Sequence, residues 1–197
     1  MMIPIALCLI AYFFGSISSA VVLCKLAGLP DPRSQGSGNP GATNVLRIGG
    51  RKLAAKVLVG DMLKGLLPVL LAHWLDGTTS VLTAVALCAF LGHLYPIFFE
   101  FRGGKGVATA FGVILGLMWP VALALLVTWI VVATISKISS LGALTAAIAA
   151  PFYAWYFSEH NQYVILCIII SILLIWRHRS NISKLINGTE GKSTLSN

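Results

Sequence analysis

The chain has 197 residues, of which 57% are hydrophobic and only 10% are charged, and its mean hydropathy is +0.89. A soluble domain carries about a quarter of its residues as charges, so this composition excludes a soluble enzyme and indicates an integral membrane protein. Lys and Arg number 14 against 6 Asp and Glu. In a membrane protein the placement of this positive excess matters more than its size. We therefore do not take the excess as a sign of nucleic-acid binding, and we expect no nucleic-acid partner.

Seven apolar segments predict membrane-spanning helices, since a helix that crosses a bilayer needs about 20 residues. In chain order they are residues 3–23, 53–75, 80–99, 107–118, 120–136, 140–157 and 162–176. The first segment lacks the basic start and the cleavage site of a secretory signal, and further spans follow it, so we expect it to be retained. The prediction is an all-α membrane protein that forms a single polytopic domain over residues 1–197.

Charge placement predicts the orientation of these helices. The connections near Asp76, Trp119 and Glu159 contain neither Lys nor Arg, whereas the alternate connections are basic. By the positive-inside rule the N-terminus lies outside, the C-terminus is cytoplasmic, and the connections around residues 36, 103 and 178 face the cytoplasm. In an alternative with five spans, residues 107–135 form one tilted or kinked helix. Lys137 lies in an otherwise charge-free connection, and this favours seven spans over five.

The first cytoplasmic connection contains nine small or polar residues, 36–44, which we call loop A. Its sequence is Gly36-Ser37-Gly38-Asn39-Pro40-Gly41-Ala42-Thr43-Asn44. Glycines permit positive φ and close approach, and consecutive free N–H groups bind anionic oxygen, so loop A predicts a phosphate site. Arg47 follows about one helical turn later, and its guanidinium suits bidentate binding of phosphate.

A second glycine-rich turn, residues 103–106 or loop B, follows the span that ends near Phe99. Its sequence, Gly103-Gly104-Lys105-Gly106, should open the next helix, where free N–H groups, the helix dipole and the Lys105 charge favour an anion. A Walker A loop is excluded because no glycine stands five residues before Gly104 and Gly106 replaces the required Ser or Thr. Nucleotide hydrolysis is therefore not expected.

The third polar stretch, residues 177–190 or segment C, directly follows the last span. On a continuing helix His178 and Asn181 share a face, because they are three residues apart. Ser140 reaches the same site only if the chain has seven spans. Asp61 and Lys64 lie three apart within the second span; they either support loop A or form a purely structural ion pair.

Missing groups narrow the chemistry that these stretches support. None of the four histidines has an Asp five residues on, which excludes the His-x4-Asp dyad of soluble-facing glycerolipid acyltransferases. No cysteine nucleophile, metal cluster or cofactor motif occurs in the sequence. Catalysis would therefore rest on positioning and charge neutralisation, with a substrate phosphate as the base. A small phosphate or organic-anion transporter is the alternative, but a carrier would place charges at the bilayer midplane and show repeated halves.

The three motifs together resemble those of the bacterial acyl-phosphate:glycerol-3-phosphate acyltransferases, the PlsY family. They are loop A, residues 92–109 around loop B, and Arg177-His178-Arg179-x-Asn181-Ile182 followed by Gly188 and Glu190. The resemblance implies transfer of a fatty acyl group from acyl-phosphate to the 1-hydroxyl of glycerol 3-phosphate, giving lysophosphatidate and phosphate for phospholipid synthesis. It also implies a site on the cytoplasmic face of the bacterial inner membrane and a peripheral partner enzyme that forms acyl-phosphate.

The same resemblance assigns roles to individual residues of this chain. Catalysis falls to Ser37, Lys105 and His178. The acyl-phosphate head is bound by Gly36, Ser37, Gly38, Asn39, Gly41, Thr43, Gly103, Gly104 and Lys105. Glycerol 3-phosphate is bound by Asn44, Arg47, Lys105, Ser140, His178 and Asn181.

Overall fold

The structure is a computed structural model that describes residues 2–75 and 77–191. Within these ranges every regular element is helical. The α-helices are α1 Met2–Gly15, α2 Ser19–Leu26, α3 Ala42–Leu75, α4 Thr79–Leu94, α5 Val107–Leu117, α6 Trp119–Ser136, α7 Ser139–Phe157, α8 Asn161–Arg177 and α9 Arg179–Ile186. A short 3₁₀ helix, Ile97–Phe99, precedes loop B. The predicted all-α class is confirmed.

Two compact units make up the chain. The first is Met1–Leu117 and contains α1 to α5, and the second is Met118–Asn197 and contains α6 to α9. The single domain over residues 1–197 stays a prediction. Loops A and B belong to the first unit, and Ser140 and segment C belong to the second.

Small residues allow the helices of the first unit to touch backbone to backbone. Gly15 of α1 packs on the carbonyl of Ala89 in α4, and Gly112 of α5 packs on the carbonyl of Met62 in α3. A side chain at either glycine would collide with that carbonyl. Such small-residue contacts are typical of helix packing in membranes. Gly15 and Gly112 thus bring α1 close to α4 and α5 close to α3.

Hydroxyl groups join the helices of the second unit. Ser171 of α8 donates to the carbonyl of Ala147 in α7 at 2.6 Å, and Thr128 of α6 lies 3.0 Å from the Tyr153 hydroxyl of α7. In an apolar setting these bonds satisfy polar groups that have no access to water. They fix α6, α7 and α8 against one another.

Two predicted spans are interrupted. The first consists of α1 and α2, which meet at a bend of 44°, where the Ser18 hydroxyl caps α2 by accepting the Val21 N–H. The second follows a kink within α3 at Gly50, which has φ 76° and ψ 179°, a conformation open only to glycine. The part of α3 before Gly50 carries the end of loop A and Arg47.

The helices of the described residues bear on the predicted span count. Two are long and apolar enough to cross a membrane, or up to four if each bent pair is one span. The single helix over residues 107–135 of the five-span alternative is interrupted at Met118, which has φ −147° and ψ 77°. Pro120 begins α6 directly afterwards, as suits a first helical turn. The count of seven remains a prediction.

Candidate functional site

Loop A is folded around the carboxamide of Asn44. The Asn44 Nδ2 group donates to the carbonyls of Pro32 and Gln35 at 2.8 and 3.0 Å, and Oδ1 accepts the Ser37 N–H at 2.9 Å. Asn44 is only 1% exposed. Gly36, at φ +57°, leaves the space that this carboxamide fills. The structure thus gives the Asn44 side chain backbone partners in loop A and in the residues just before it. Binding of glycerol 3-phosphate by Asn44 stays a prediction.

The outer surface of loop A is open to a ligand. Gly36, Ser37, Gly38 and Thr43 are exposed, and Asn39 and Gly41 are half-buried. The loop runs directly into α3 at Ala42, so the first amides of that helix point out of its end, where an anion is favoured. Arg47 is exposed one turn later, as predicted.

An ion pair just before loop A ties it to the chain that leads to loop B. The Arg33 guanidinium contacts the Asp31 carboxylate at 2.7 Å and donates to the carbonyl of Phe99 at 3.2 Å. It also lies over the Phe99 ring, 5.8 Å from its centroid. The hydrogen bonds from Arg33 lower the pKa of the Asp31 carboxyl. No sequence motif indicates a role for this pair; the rarity of charges in this chain is the signal that could have found it.

Loop B is built against the end of α4. Gly103 packs on the carbonyls of His93 and Leu94, and Gly104 packs on the His93 imidazole. Gly106 has φ +92° and its carbonyl accepts the Ala110 N–H at 2.7 Å, so the loop leads straight into α5. The prediction that loop B opens this helix is confirmed.

Loops A and B lie side by side in the first unit. A Cβ atom built on Gly104 would be 3.3 Å from the carbonyl oxygen of Pro40 in loop A. Lys105, the next residue, is half-buried. The structure therefore brings two glycine loops, each at a helix N-terminus, into one place together with a lysine.

Beneath loop B lies a buried polar group that we call the His93 cluster: Asp61, Lys64, His93 and Thr109. The Lys64 ammonium contacts the Asp61 carboxylate at 2.9 Å and donates to the carbonyl of Ile17, in the break between α1 and α2. The exposed fractions of Asp61 and Lys64 are 3% and 4%. The ion pair is thus formed, and it is joined to loop B rather than loop A. We had assigned His93 no function.

In the second unit, segment C bends at His178. Helices α8 and α9 meet there at an angle of 60°, so the straight helix that would place His178 and Asn181 on one face is wrong. The His178 side chain is buried at 3% exposure, with Nδ1 2.8 Å from the Leu174 carbonyl. A carbonyl only accepts, so Nδ1 carries the proton.

Glu190 joins two of the residues predicted to bind glycerol 3-phosphate. Its Oε1 atom accepts from the Ser140 hydroxyl at 2.5 Å and from the Asn181 carboxamide at 2.6 Å. The Glu190 N–H in turn contacts the Lys184 carbonyl of α9 at 3.2 Å. The structure therefore brings Ser140 and Asn181 together. Glu190 belongs to the third sequence motif, which by itself indicates no role for it.

Apolar helices that carry adjacent glycine loops define a multi-pass membrane protein suited to phosphorylated ligands. The sequence model of the family described as "Glycerol-3-phosphate acyltransferase" matches residues 5–188, and the chain belongs to this family. It is 56% identical to the glycerol-3-phosphate acyltransferase of Thioalkalivibrio sulfidiphilus, over 98% of this chain and 95% of that one. For the enzyme of Shewanella loihica the identity is 52%, over 97% and 93%.

Two solved structures resemble this chain and belong to proteins of the same activity as these relatives. The chain superimposes on PlsY (YgiH), "an integral membrane glycerol 3-phosphate acyltransferase", in its glycerol 3-phosphate form, with a TM-score of 0.92 and 40% identity over 96% of this chain and 94% of that one. For the lysophosphatidic acid form the TM-score is 0.90 and the identity is 39%, with the same coverage. The predicted family is confirmed, and the chain is an acyltransferase of phospholipid biosynthesis.

Proposed function

We propose that the chain transfers a fatty acyl group from acyl-phosphate to the 1-hydroxyl of glycerol 3-phosphate, yielding lysophosphatidate and inorganic phosphate. The observation that carries this proposal is the meeting of loops A and B in the first unit. Two helix N-termini and a lysine at one place offer N–H groups and positive charge that bind the phosphate of a lipid-like donor. The two forms described for PlsY name the matching acceptor and product of that relative.

The reaction needs no nucleophile from the protein. The 1-hydroxyl oxygen attacks the acyl carbonyl carbon, the bond from that carbon to the phosphate oxygen breaks, and the hydroxyl proton passes to a phosphate oxygen. Phosphate is a good leaving group. The protein therefore accelerates acyl transfer by stabilising the charge of the departing phosphate and by aligning the two substrates. Ser37 and Lys105 act on the donor phosphate, and His178 orients the acceptor.

The proposal assigns a set of residues to each of the two substrates. The acyl-phosphate head is held by the first unit through Gly36, Ser37, Gly38, Asn39, Gly41, Thr43, Gly103, Gly104 and Lys105. Glycerol 3-phosphate is held by Arg47, Lys105, Ser140, His178 and Asn181. Asn44 acts indirectly, since its carboxamide is buried and bonded to backbone groups of Pro32, Gln35 and Ser37.

We place this site on the cytoplasmic face of the bacterial inner membrane, in a protein with seven spans, its N-terminus outside and its C-terminus inside. The alternation of basic and uncharged connections supports this orientation. The acyl chain of the donor lies between spans, in contact with lipid. A peripheral enzyme that forms acyl-phosphate is the expected upstream partner.

A direct assay tests the donor. Protein purified in detergent receives glycerol 3-phosphate with either acyl-phosphate or acyl-CoA of the same chain length, and lysophosphatidate is measured. We expect product from acyl-phosphate only, with one phosphate released per lysophosphatidate. Product from acyl-CoA alone would refute the proposed donor and leave the family assignment intact.

A further inference from the structure

The His93 ring is held in one defined state by its neighbours. The Thr109 hydroxyl donates its single proton to the Asp61 carbonyl at 2.8 Å. Its oxygen also lies 3.1 Å from His93 Nδ1, and with the hydroxyl proton already committed, this contact requires a proton on Nδ1. In the neutral ring Nε2 then carries the lone pair.

The Nε2 edge of this ring faces loop B. A Cβ atom on Gly104 would collide with His93 Nε2, and one on Gly103 would collide with the His93 carbonyl. Side chain and backbone of His93 therefore both support the two glycines that precede Lys105. His93 itself is 5% exposed, so the ring is a buried support beneath the loop.

The buried ion pair stabilises the other edge of the ring. Asp61 Oδ1 lies 3.7 Å from His93 Nδ1 and 2.9 Å from the Lys64 ammonium, yet it accepts no well-aligned hydrogen bond from the described residues. Its charge thus acts on the Nδ1 proton through space, in a region of low dielectric where such effects are strong. Lys64 balances that charge and keeps the carboxylate in place.

We propose that His93 is a positioning residue for the acyl-donor phosphate: locked by Thr109 and the Asp61–Lys64 pair, its ring fixes the backbone of Gly103 and Gly104. The amides of loop B and the Lys105 ammonium are thereby held where the donor phosphate binds. A displacement of about 1 Å at such a site costs on the order of 100-fold in rate. This inference rests on the proposed donor site at loop B.

Thr109→Val tests the lock with little change in side-chain volume. It removes the hydroxyl that fixes Nδ1, so the ring is free to turn away from loop B. We expect the KM for acyl-phosphate to rise about tenfold, with a smaller change in the KM for glycerol 3-phosphate. Thr109→Ser keeps the hydroxyl and should restore a KM close to that of the wild type.

Thr83→Val is the matched control, because among the described residues the Thr83 hydroxyl bonds within α4, to the Thr79 carbonyl at 2.7 Å. His93→Asn is a second variant that keeps a donor for Thr109 but does not reach Gly104, and it should show at least the same KM defect. If His93→Asn does not fold, Thr109→Val decides the question alone. Kinetics are measured below each variant's unfolding temperature in detergent.

Wild-type kinetics for Thr109→Val, while the wild type uses acyl-phosphate, would overturn the positioning role and leave the proposed function standing. Equal changes in Thr109→Val and Thr83→Val would also overturn it, since a general loss of stability would then explain both. A wild type that makes no lysophosphatidate from acyl-phosphate would instead refute the proposed donor.

Discussion

The two units support their polar groups in different ways. In the first, loop A surrounds a neutral carboxamide, Asn44, and loop B rests on the buried His93 cluster. In the second, one carboxylate, Glu190, holds both Ser140 and Asn181. Backbone contacts at several residues shape the loops of the first unit, whereas in the second unit one carboxylate oxygen sets the spacing of two side chains. We therefore expect the loops of the first unit to depend on the shape of their backbone support, and the Ser140–Asn181 pair of the second unit to depend on the charge of Glu190.

The largest effect is expected from the two cations proposed to contact phosphate. Lys105→Ala and Arg47→Ala should each lower kcat by about 100-fold or more, because charge stabilisation in the transition state is lost. Lysophosphatidate formation at saturating substrate measures the loss. Arg51→Ala is the control: Arg51 is an exposed arginine one turn further along α3, beyond the Gly50 kink. Near-normal turnover in both test variants would refute the site.

The shape of loop A is tested next. Asn44→Ala leaves the Pro32 and Gln35 carbonyls and the Ser37 N–H without their partner, at about 1–3 kcal/mol for each group that remains buried. Asn44→Asp should be worse, since a carboxylate cannot donate to two carbonyls. We expect turnover to fall in that order, and exposed Asn161→Ala to have no effect. Equal activity in Asn44→Asp and wild type would show that the carboxamide does not hold the loop.

The charge of Glu190 is tested by two substitutions. Glu190→Ala should raise the KM for glycerol 3-phosphate about tenfold, because Ser140 and Asn181 lose charge-assisted hydrogen bonds. Glu190→Gln keeps a carbonyl that accepts from both and should have a smaller effect. Initial rates at varied glycerol 3-phosphate measure this difference. A larger change in the KM for acyl-phosphate would contradict the assignment of Ser140 and Asn181 to glycerol 3-phosphate.

The smallest effect is expected at Asp31, whose side chain is one-third exposed. Asp31→Asn should cost less than about 1 kcal/mol of stability, as is usual for an exposed ion pair. The pKa of Asp31 is lowered by Arg33, so the stabilisation is complete above the unfolded pKa of about 3.9 and is lost as pH falls through the lower folded pKa. The difference in thermal unfolding between the two proteins should therefore shrink as pH is lowered from 7 to 3. A constant difference would exclude the ion pair as its cause.

Local sequence predicted the helices and the loops, because both depend on neighbouring residues. Apolar runs set most helix bounds to within a few residues, and the glycines of loops A and B marked turns at helix starts. The break before α2 had weaker signals. The first predicted span is interrupted at the polar residues Ser16 to Ser19. Helix α3 begins before the second predicted span and bends at the flexible pair Gly49-Gly50.

The supports beneath the loops could not be predicted in this way. Glu190 bonds to Ser140 across 50 residues, and Thr109 bonds to the Asp61 carbonyl across 48. No spacing rule connects such positions, since their contact depends on how whole helices pack. The backbone partners of Asn44 could not be predicted for the same reason: the loop motif suggests a ligand contact, and only the folded loop shows that its buried carboxamide bonds to the backbone.

A matrix of Michaelis constants tests the central claim most directly. Ser37→Ala in loop A and Asn181→Ala in α9 are assayed with acyl-phosphate and glycerol 3-phosphate varied in turn. The proposed division predicts that Ser37→Ala raises mainly the KM for acyl-phosphate and that Asn181→Ala raises mainly the KM for glycerol 3-phosphate. Equal increases in both constants for both variants, or the reverse pattern, would contradict it.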